Sequence, residues 1–397
     1  MSERPIILFG AFDRHNFGDL LLAQVAARQL GERMLLFAGL ARRDLRPVGG
    51  VAVELLAAQA ESWPAADLIH VGGEILGCSA YEAAIMLLDA DGAMAAIGQV
   101  DRDPAARQAW AVASLGDRRQ LPYLLGRSDF PQAGRIVAQA IGGVGFSSLP
   151  ASLRAEALSA LRSMDAVRVR DRTTQAQLIA AGVSAELAPD PAVLTARLFA
   201  GELAEHAGRG EVLALGQRYP RGFLAVQCSA EFGDDRTLAV LAGQLDALVQ
   251  EYGFGVVLFR AGLAPWHDDM AVYRRLAAGM RSKSVSLFES SHLWDICALL
   301  SKSAAFIGSS LHGRIVAEAF ARPALNLLGA SSAADKLAAY EQTWGQPGAR
   351  GVAALPEVGE SLGRLLAASS VARSQWQEHL LAEAGRLGVD RLLLPDR

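Results

Sequence analysis

The sequence predicts an α/β chain of two doubly wound domains, and three observations carry that expectation. Short runs made almost wholly of apolar residues, clearest in Pro5–Gly10, Phe223–Cys228 and Ala304–Ile307, fit strands buried on both faces of a parallel sheet. Amphipathic stretches of helical length, such as Leu20–Leu30 and Asp235–Tyr252, alternate with them, as crossover connections require. The 397 residues exceed what one core ordinarily organises, and charge and glycine rise between Arg197 and Gly222. The expected layout is an N-terminal domain over 1–197 with a helix-rich insertion at about 81–128, then a linker over 198–221. A second domain follows over 222–365, and 366–397 form a C-terminal helix packing back on the first.

Composition narrows the function classes. An apolar fraction of 51% with a formal charge of -4 describes a soluble globular protein with no general attraction for nucleic acid or anionic membrane. Any anion site must be local. Cys78, Cys228 and Cys297 stand far apart, with no CxxC and no metal-ligand spacing, as expected of reduced thiols in a cytoplasmic protein. Residues 1–5 precede only a short strand, so no signal peptide is expected. No apolar run approaches the roughly 18 residues that span a bilayer. The nearest, Tyr81–Ile97, is broken by Glu82, Asp89 and Asp91, so no integral membrane segment is expected.

In the first half, the strand Pro5–Gly10 runs into a polar loop bearing Asn16, Gly18 and Asp19, which opens the helix Leu20–Leu30. A loop after a strand and before a helix is where α/β sheets take ligands. It lacks GxGxxG and a Walker lysine, so neither a dinucleotide nor a P-loop site is expected. Asn16 and Gly18 equally suit a turn, and Asp19 a helix cap. Strands at Met34–Leu40 and Val51–Leu56 follow, then one from Asp67 that ends in Gly72-Gly73. Two glycines there let backbone come close to a ligand or a neighbouring loop. Glu74 puts a carboxylate at that sheet edge, as a base or as a helix cap. After the strand Ile136–Ile141 and the helix Leu149–Met164, the strand Ala166–Arg170 places Arg168 and Arg170 on one face and leads into Asp171. A further short strand from Leu187 ends on Asp190.

In the second half, strands at Phe223–Cys228, Gly255–Phe259 and Val285–Phe288 alternate with helices at Asp235–Tyr252, Met270–Met280 and His292–Leu300. The strand Ala304–Ile307 then breaks at Gly308-Ser309-Ser310 into a helix from Leu311 to Ala321, stopped by Pro323. Ser309 or Ser310 can cap that helix, and the first free N–H groups with the helix dipole behind them form an anion site. Leu311, Ile315, Val316 and Ala319 supply the packing face, which leaves His312 and the Gly313 turn to the ligand side. Arg260 leaves a strand end beside the His267-Asp268-Asp269 loop, whose adjacent residues are poor partners for one metal. The strand Ala324–Leu328 is expected to close the sheet.

Gly308-Ser-Ser-Leu-His-Gly313 followed by Ala317-Glu-Ala-Phe-Ala-Arg-Pro323 resembles the C-terminal signature of polysaccharide pyruvyl transferases. The Asn16–Asp19 loop, Arg170-Asp171 and the strand ending at Asp190 resemble that family's other short signatures, in the same order. Two departures stand out. Glu74 replaces a third glycine, and Ser310 replaces an arginine common two residues before the histidine. The resemblance implies two Rossmann-like domains facing a cleft, a GT-B-like layout, with phosphoenolpyruvate as donor and no further cofactor or metal. The acceptor would be a glycan or lipid-linked sugar, in exopolysaccharide or cell-envelope biosynthesis, in the cytoplasm or at the inner face of the membrane, with a homo-oligomer as one arrangement. Under it His312 is the acid, with Asp19 and Glu74 as further catalytic candidates. Ser309, Ser310, Gly313, Arg170 and Arg260 would hold the donor, and Asn16, Gly18, Gly72, Gly73, Asp171 and Asp190 would line the cleft. A nucleotide-sugar glycosyltransferase of similar architecture, or a non-catalytic glycan-binding protein, are the competing expectations.

Overall fold

The computed structural model describes residues 4–329 and 333–393. The chain divides into two compact units, Met1–Pro191 with Arg386–Arg397, and Ala192–Gly385.

The first unit holds β1 (Ile6–Phe9), β2 (Leu35–Gly39), β3 (Arg43–Asp44), β4 (Ala52–Leu55) and β5 (Asp67–His70). It continues with β6 (Ile136–Ile141), β7 (Ala166–Val169) and β8 (Glu186–Leu187). They form one sheet in the order β3-β4-β2-β1-β5-β6-β7-β8, parallel except for β3 against β4. β1 is wholly buried, which is why it reads as an unbroken apolar segment, and β5, equally buried, carries Asp67 and His70 at its ends. The helices are α1 (Phe17–Leu30), α2 (Leu56–Ser62), α3 (Ala80–Met86), α4 (Ala90–Val100) and α5 (Pro104–Leu115), then α6 (Ala151–Arg162) and α7 (Arg172–Ala180). α3 to α5 pack on each other through Tyr81, Ile85, Ala93, Ala96 and Ala111, a small core of their own. The end of the expected insertion differs: Leu121, Tyr123, Leu124 and Leu125 are buried in the main core.

The second unit opens with α8 (Thr195–Leu198), α9 (Ala200–Ala207) and α10 (Gly210–Arg218). The stretch expected as a linker over 198–221 is therefore mostly helical, anchored by buried Leu203, Val212 and Leu215. Its sheet comprises β9 (Phe223–Gln227), β10 (Gly255–Leu258), β11 (Val285–Leu287), β12 (Ala305–Gly308), β13 (Ala324–Leu327) and β14 (Val352–Ala353). The order is β11-β10-β9-β12-β13-β14, all parallel. Ala324–Leu328 does not close the sheet, because the two-residue β14 pairs outside it. The helices are α11 (Asp235–Tyr252), α12 (Met270–Gly279), α13 (Leu293–Lys302) and α14 (Leu311–Ala319), followed by α15 (Ala333–Trp344), α16 (Val358–Ala367) and α17 (Ser370–Arg386). Of the segment expected to return to the first domain, only the residues from Arg386, with α18 (Val389–Leu392), belong to the first unit.

Leaving out the β3 and β8 edges, both sheets have the doubly wound strand order that begins two strands to one side and then reverses. The reversal lies between β1 and β5 in one unit and between β9 and β12 in the other. Ligands of such sheets bind at the carboxyl ends of the strands flanking that point.

Candidate functional site

In the second unit, the Gly308–Gly313 corner sits at this reversal. Ser310 is the N-cap of α14, and its Oγ accepts the Gly313 N–H at 3.1 Å. The side chain is thus occupied, and so is the Gly313 amide. A Cβ on Gly313 would meet the Phe306 ring at 2.7 Å, so this glycine serves close packing of α14 on β12. Gly313 was expected to hold the donor, but it has no N–H left to offer. The Leu311 N–H has no partner among the described residues, and His312 stands half-buried on the same first turn.

Polar residues from neighbouring strands hold the corner. Gln227, buried at the end of β9, accepts the Ser310 N–H on its Oε1 at 2.8 Å. The same oxygen lies 3.3 Å from Ser309 Oγ, which also accepts the Ser229 N–H at 2.9 Å. Gln227 Nε2 donates to Asp268 Oδ1 at 2.8 Å, and Asp268 Oδ2 accepts the Ala261 N–H. Burial pushes the Asp268 carboxyl up to about 7, against the pull of those N–H donors. From β13, Asn326 Nδ2 donates to Gly308 O at 2.8 Å and to Ser310 O at 3.1 Å. Asp268 thus supports the corner through Gln227. Arg260 follows β10 by two residues, half-buried, with no ion-pair partner among the described residues. β10 and β12 flank β9, so Arg260 and the corner rise from strand ends about 10 Å apart on the same sheet edge.

In the first unit, Asn16 rather than Asp19 caps α1, accepting the Gly18 N–H at 3.0 Å and the Asp19 N–H at 3.4 Å. Asp19 faces the glycine turn after β5 instead, because a Cβ on Gly73 would lie 3.1 Å from Asp19 Oδ1. Gly72 and Gly73 have φ of 119° and 88°, backbone that other residues avoid, and Gly73 O accepts the Gly142 N–H at 2.8 Å. The glycine pair serves a neighbouring loop. Behind the loop, buried Asp13 accepts from Tyr123 OH at 2.7 Å, and Arg14 Nη1 donates to the same hydroxyl at 2.7 Å. Burial raises the Asp13 carboxyl while the Arg14 charge opposes it.

Two further expectations change here. Arg170 Nη2 meets Glu74 Oε2 at 2.6 Å and Nη1 meets Asp190 Oδ2 at 3.2 Å. Burial works against the guanidinium charge, but these carboxylates keep its pKa above the usual value. An arginine already answered by two carboxylates has little left for a donor anion. Glu74 also accepts the Val144 N–H at 3.1 Å, so it is neither an open base nor a helix cap. Asp171 caps α7 through the Thr174 N–H and hydroxyl, at 2.7 and 2.9 Å.

The sequence matches the family described as polysaccharide pyruvyl transferase over residues 16–329, from the Asn16 cap through the α14 corner and beyond β13. The chain belongs to the polysaccharide pyruvyl transferase family. No curated protein matches it. Among solved structures, a UDP-GlcNAc 2-epimerase from Methanocaldococcus jannaschii is similar with a TM-score of 0.53 at 7% identity, covering 96% of this chain and 100% of its own. The S. aureus MnaA–UDP co-structure gives 0.52 at 11% identity, covering 95% of this chain and 91% of its own. At these identities the likeness concerns the fold, two Rossmann-like units of the GT-B-like class.

In this pyruvyl transferase family member, Arg314 is answered by Glu318 at 2.7 Å and Glu341 at 2.5 Å and is 1% exposed, so it stabilises α14 from within. Gln227, Asn326 and the Arg314–Glu318 pair escaped the sequence reading. The signal for the first two was present: each is a lone polar residue in an apolar strand, and such residues are buried only with partners. One group of side chains in the second unit, His206, His292 and Asp295, has metal-ligand spacing. Several of its ring nitrogens are engaged: His206 Nδ1 lies 2.5 Å from Asp295, its Nε2 lies 3.0 Å from Arg209 Nη2, and His292 Nδ1 accepts the Trp294 N–H. A guanidinium against the cluster repels a cation, and we assign no metal there. Among the described residues no helix is long and apolar enough to cross a membrane.

Proposed function

We propose that this protein transfers a pyruvyl group from phosphoenolpyruvate to a sugar of a glycan or lipid-linked glycan precursor, forming a cyclic ketal. The observation that carries the reading is the α14 corner of a pyruvyl transferase family member: a half-buried histidine on the first turn of a helix at the sheet reversal, with Arg260 on the same edge. The Leu311 N–H and the positive end of α14 suit an anion, and Arg260 suits the donor carboxylate or phosphate. His312 protonates the donor methylene, and the first sugar hydroxyl adds to C2 as its proton restores the histidine. Phosphate then leaves, and the second hydroxyl closes the ketal while its proton departs with the phosphate. No cofactor is needed. The reaction belongs in the cytoplasm or at the inner face of the membrane, where donor and lipid-linked acceptor meet.

The test is to incubate the protein with phosphoenolpyruvate and a panel of glycan acceptors, reading released phosphate and a carboxyethylidene mass gain on the sugar. A parallel thermal-shift series separates the competing reading. Protection by UDP-sugars with none by phosphoenolpyruvate would replace this proposal with a nucleotide-sugar transferase.

A further inference from the structure

A second basic site lies at the opposite edge of the same sheet. Pro323 and Ala324, at the start of β13, and Gly351, just before β14, border a small pocket that is partly open to solvent. The α14 corner opens at the carboxyl ends of the strands, whereas this pocket opens at their amino ends, beyond the last turn of α14. Three arginines line it: Arg314, Arg322 and Arg373.

Their charges are not equally answered. Arg314 is compensated by Glu318 and Glu341. Arg322 donates through Nε to Ser301 O at 3.0 Å, and Arg373 donates to Ala321 O, Leu365 O and Ala368 O at 3.3, 3.1 and 2.7 Å. These acceptors are backbone carbonyls near the ends of α13, α14 and α16. Helix ends carry only partial negative charge, so they fix the two guanidinium groups in place without neutralising them. Neither arginine has a carboxylate within ion-pair distance among the described residues. The bonds use Nε of Arg322 and Nε and Nη1 of Arg373, which leaves both Nη of Arg322 and Nη2 of Arg373 for another acceptor. Burial, and for Arg322 the neighbouring Arg373 charge, lower the pKa of both groups, as expected of cations lacking a counter-ion. Ala321, whose carbonyl holds Arg373, has φ of 53°, a conformation costly for alanine. Trp376 completes the wall, its ring fixed by an Nε1–H bond to Trp344 O at 3.1 Å.

We propose that the second unit carries a separate anion site, in which Arg322 and Arg373 together grip the phosphate or carboxylate group of a small metabolite beside the Trp376 ring. Guanidinium forks held in advance suit such oxyanions. The site does not depend on the donor reading, because it shares no residue with the α14 corner.

Inorganic phosphate and malonate, titrated separately against the intact protein, test it through tryptophan emission and thermal midpoint. Saturable binding of at least one, with a Kd of about 1 mM or tighter, is expected. Arg322→Gln, which removes a single backbone bond, should weaken it at least about tenfold, the loss of one charge-assisted contact. Arg373→Lys should weaken it too, while Trp376→Phe should bind but lose the emission change. Ser309→Ala, at the other edge of the sheet, should leave it unchanged. Response to phosphate alone or to malonate alone identifies which oxyanion the site takes. No saturation by either anion at about ten times that concentration would overturn the proposal, as would binding that survives Arg322→Gln intact or disappears with Ser309→Ala.

Discussion

Replacing Gln227 by glutamate exchanges one nitrogen for one oxygen at the centre of the α14 corner. The Ser310 N–H keeps its acceptor, but the new oxygen meets Asp268 Oδ1 where a donor stood 2.8 Å away. Two carboxyl groups at that distance are tolerated only while they share a proton. The Asp268 carboxyl already sits at about 7 through burial, above its unfolded value of 3.8, so the wild-type native state holds one extra proton between those limits. Its stability falls as pH rises through that window and levels off above about 7. The variant pair keeps its shared proton to higher pH, so its stability goes on falling where the wild type has levelled. One retained proton is worth about 1.4 kcal/mol per pH unit. A gap approaching ~3 kcal/mol by about pH 9 is the upper bound, and Asp268, being half-buried, should deliver roughly half of it. Urea unfolding of both proteins, followed by near-UV circular dichroism between about pH 6 and about pH 9, reads the gap directly. A difference that stays constant across that range would refute the linkage between Gln227 and Asp268.

Three other outcomes follow from the same geometry. His312→Gln should lower pyruvyl transfer by about 10²–10⁴-fold, because an amide cannot deliver a proton, while calorimetric donor affinity changes far less; near-normal turnover would remove His312 as the acid. Arg314→Met should destabilise the second unit by roughly 3–5 kcal/mol, since Glu318 and Glu341 would lose their buried cation; an unchanged denaturation midpoint would contradict this. His70 is buried with Nδ1 on Val137 O and Nε2 accepting the Leu125 N–H, and burial lowers its pKa to about 4. The unfolded chain takes up that proton first, so stability falls as pH drops from about 6.5 towards 4. His70→Gln should flatten this acid slope while lowering stability at neutral pH by about 1–2 kcal/mol, and an identical slope in both proteins would argue against it.

The alternation of strands and helices could be read from the sequence because most strands here are buried on both faces, so their apolar runs stand out. The start of α14 was equally legible: glycine, two serines and an early histidine at a strand end have few other uses. What could not be read was pairing across sequence distance. Glu74 and Arg170 lie 96 residues apart, and Ser310 and Gln227 lie 83 apart, so no local pattern announces either contact. That is why Arg170 looked available and Gln227 went unnoticed. The segment after Arg197 misled for another reason: its glycines and charges suggested a linker, while Leu203, Val212 and Leu215, too few to form an evident periodic face, hold its helices. β14 has two residues and gains its place only from β13 beside it.

The division of the chain also fixes an order of events during synthesis. Within the first unit, Arg168 Nη1 donates to Leu387 O and Gly388 O at 2.9 and 3.2 Å, and Gln139 Nε2 donates to Leu387 O at 3.2 Å. These buried donors belong to β6 and β7, yet their acceptors are translated only after all of residues 192–385 have emerged. A ribosome therefore releases a first unit whose sheet can form early but whose buried polar groups must wait, bonded to water, until the chain returns. Termination before Leu387 would strand them permanently, so loss of a few residues far along the gene would be felt as a defect near its beginning.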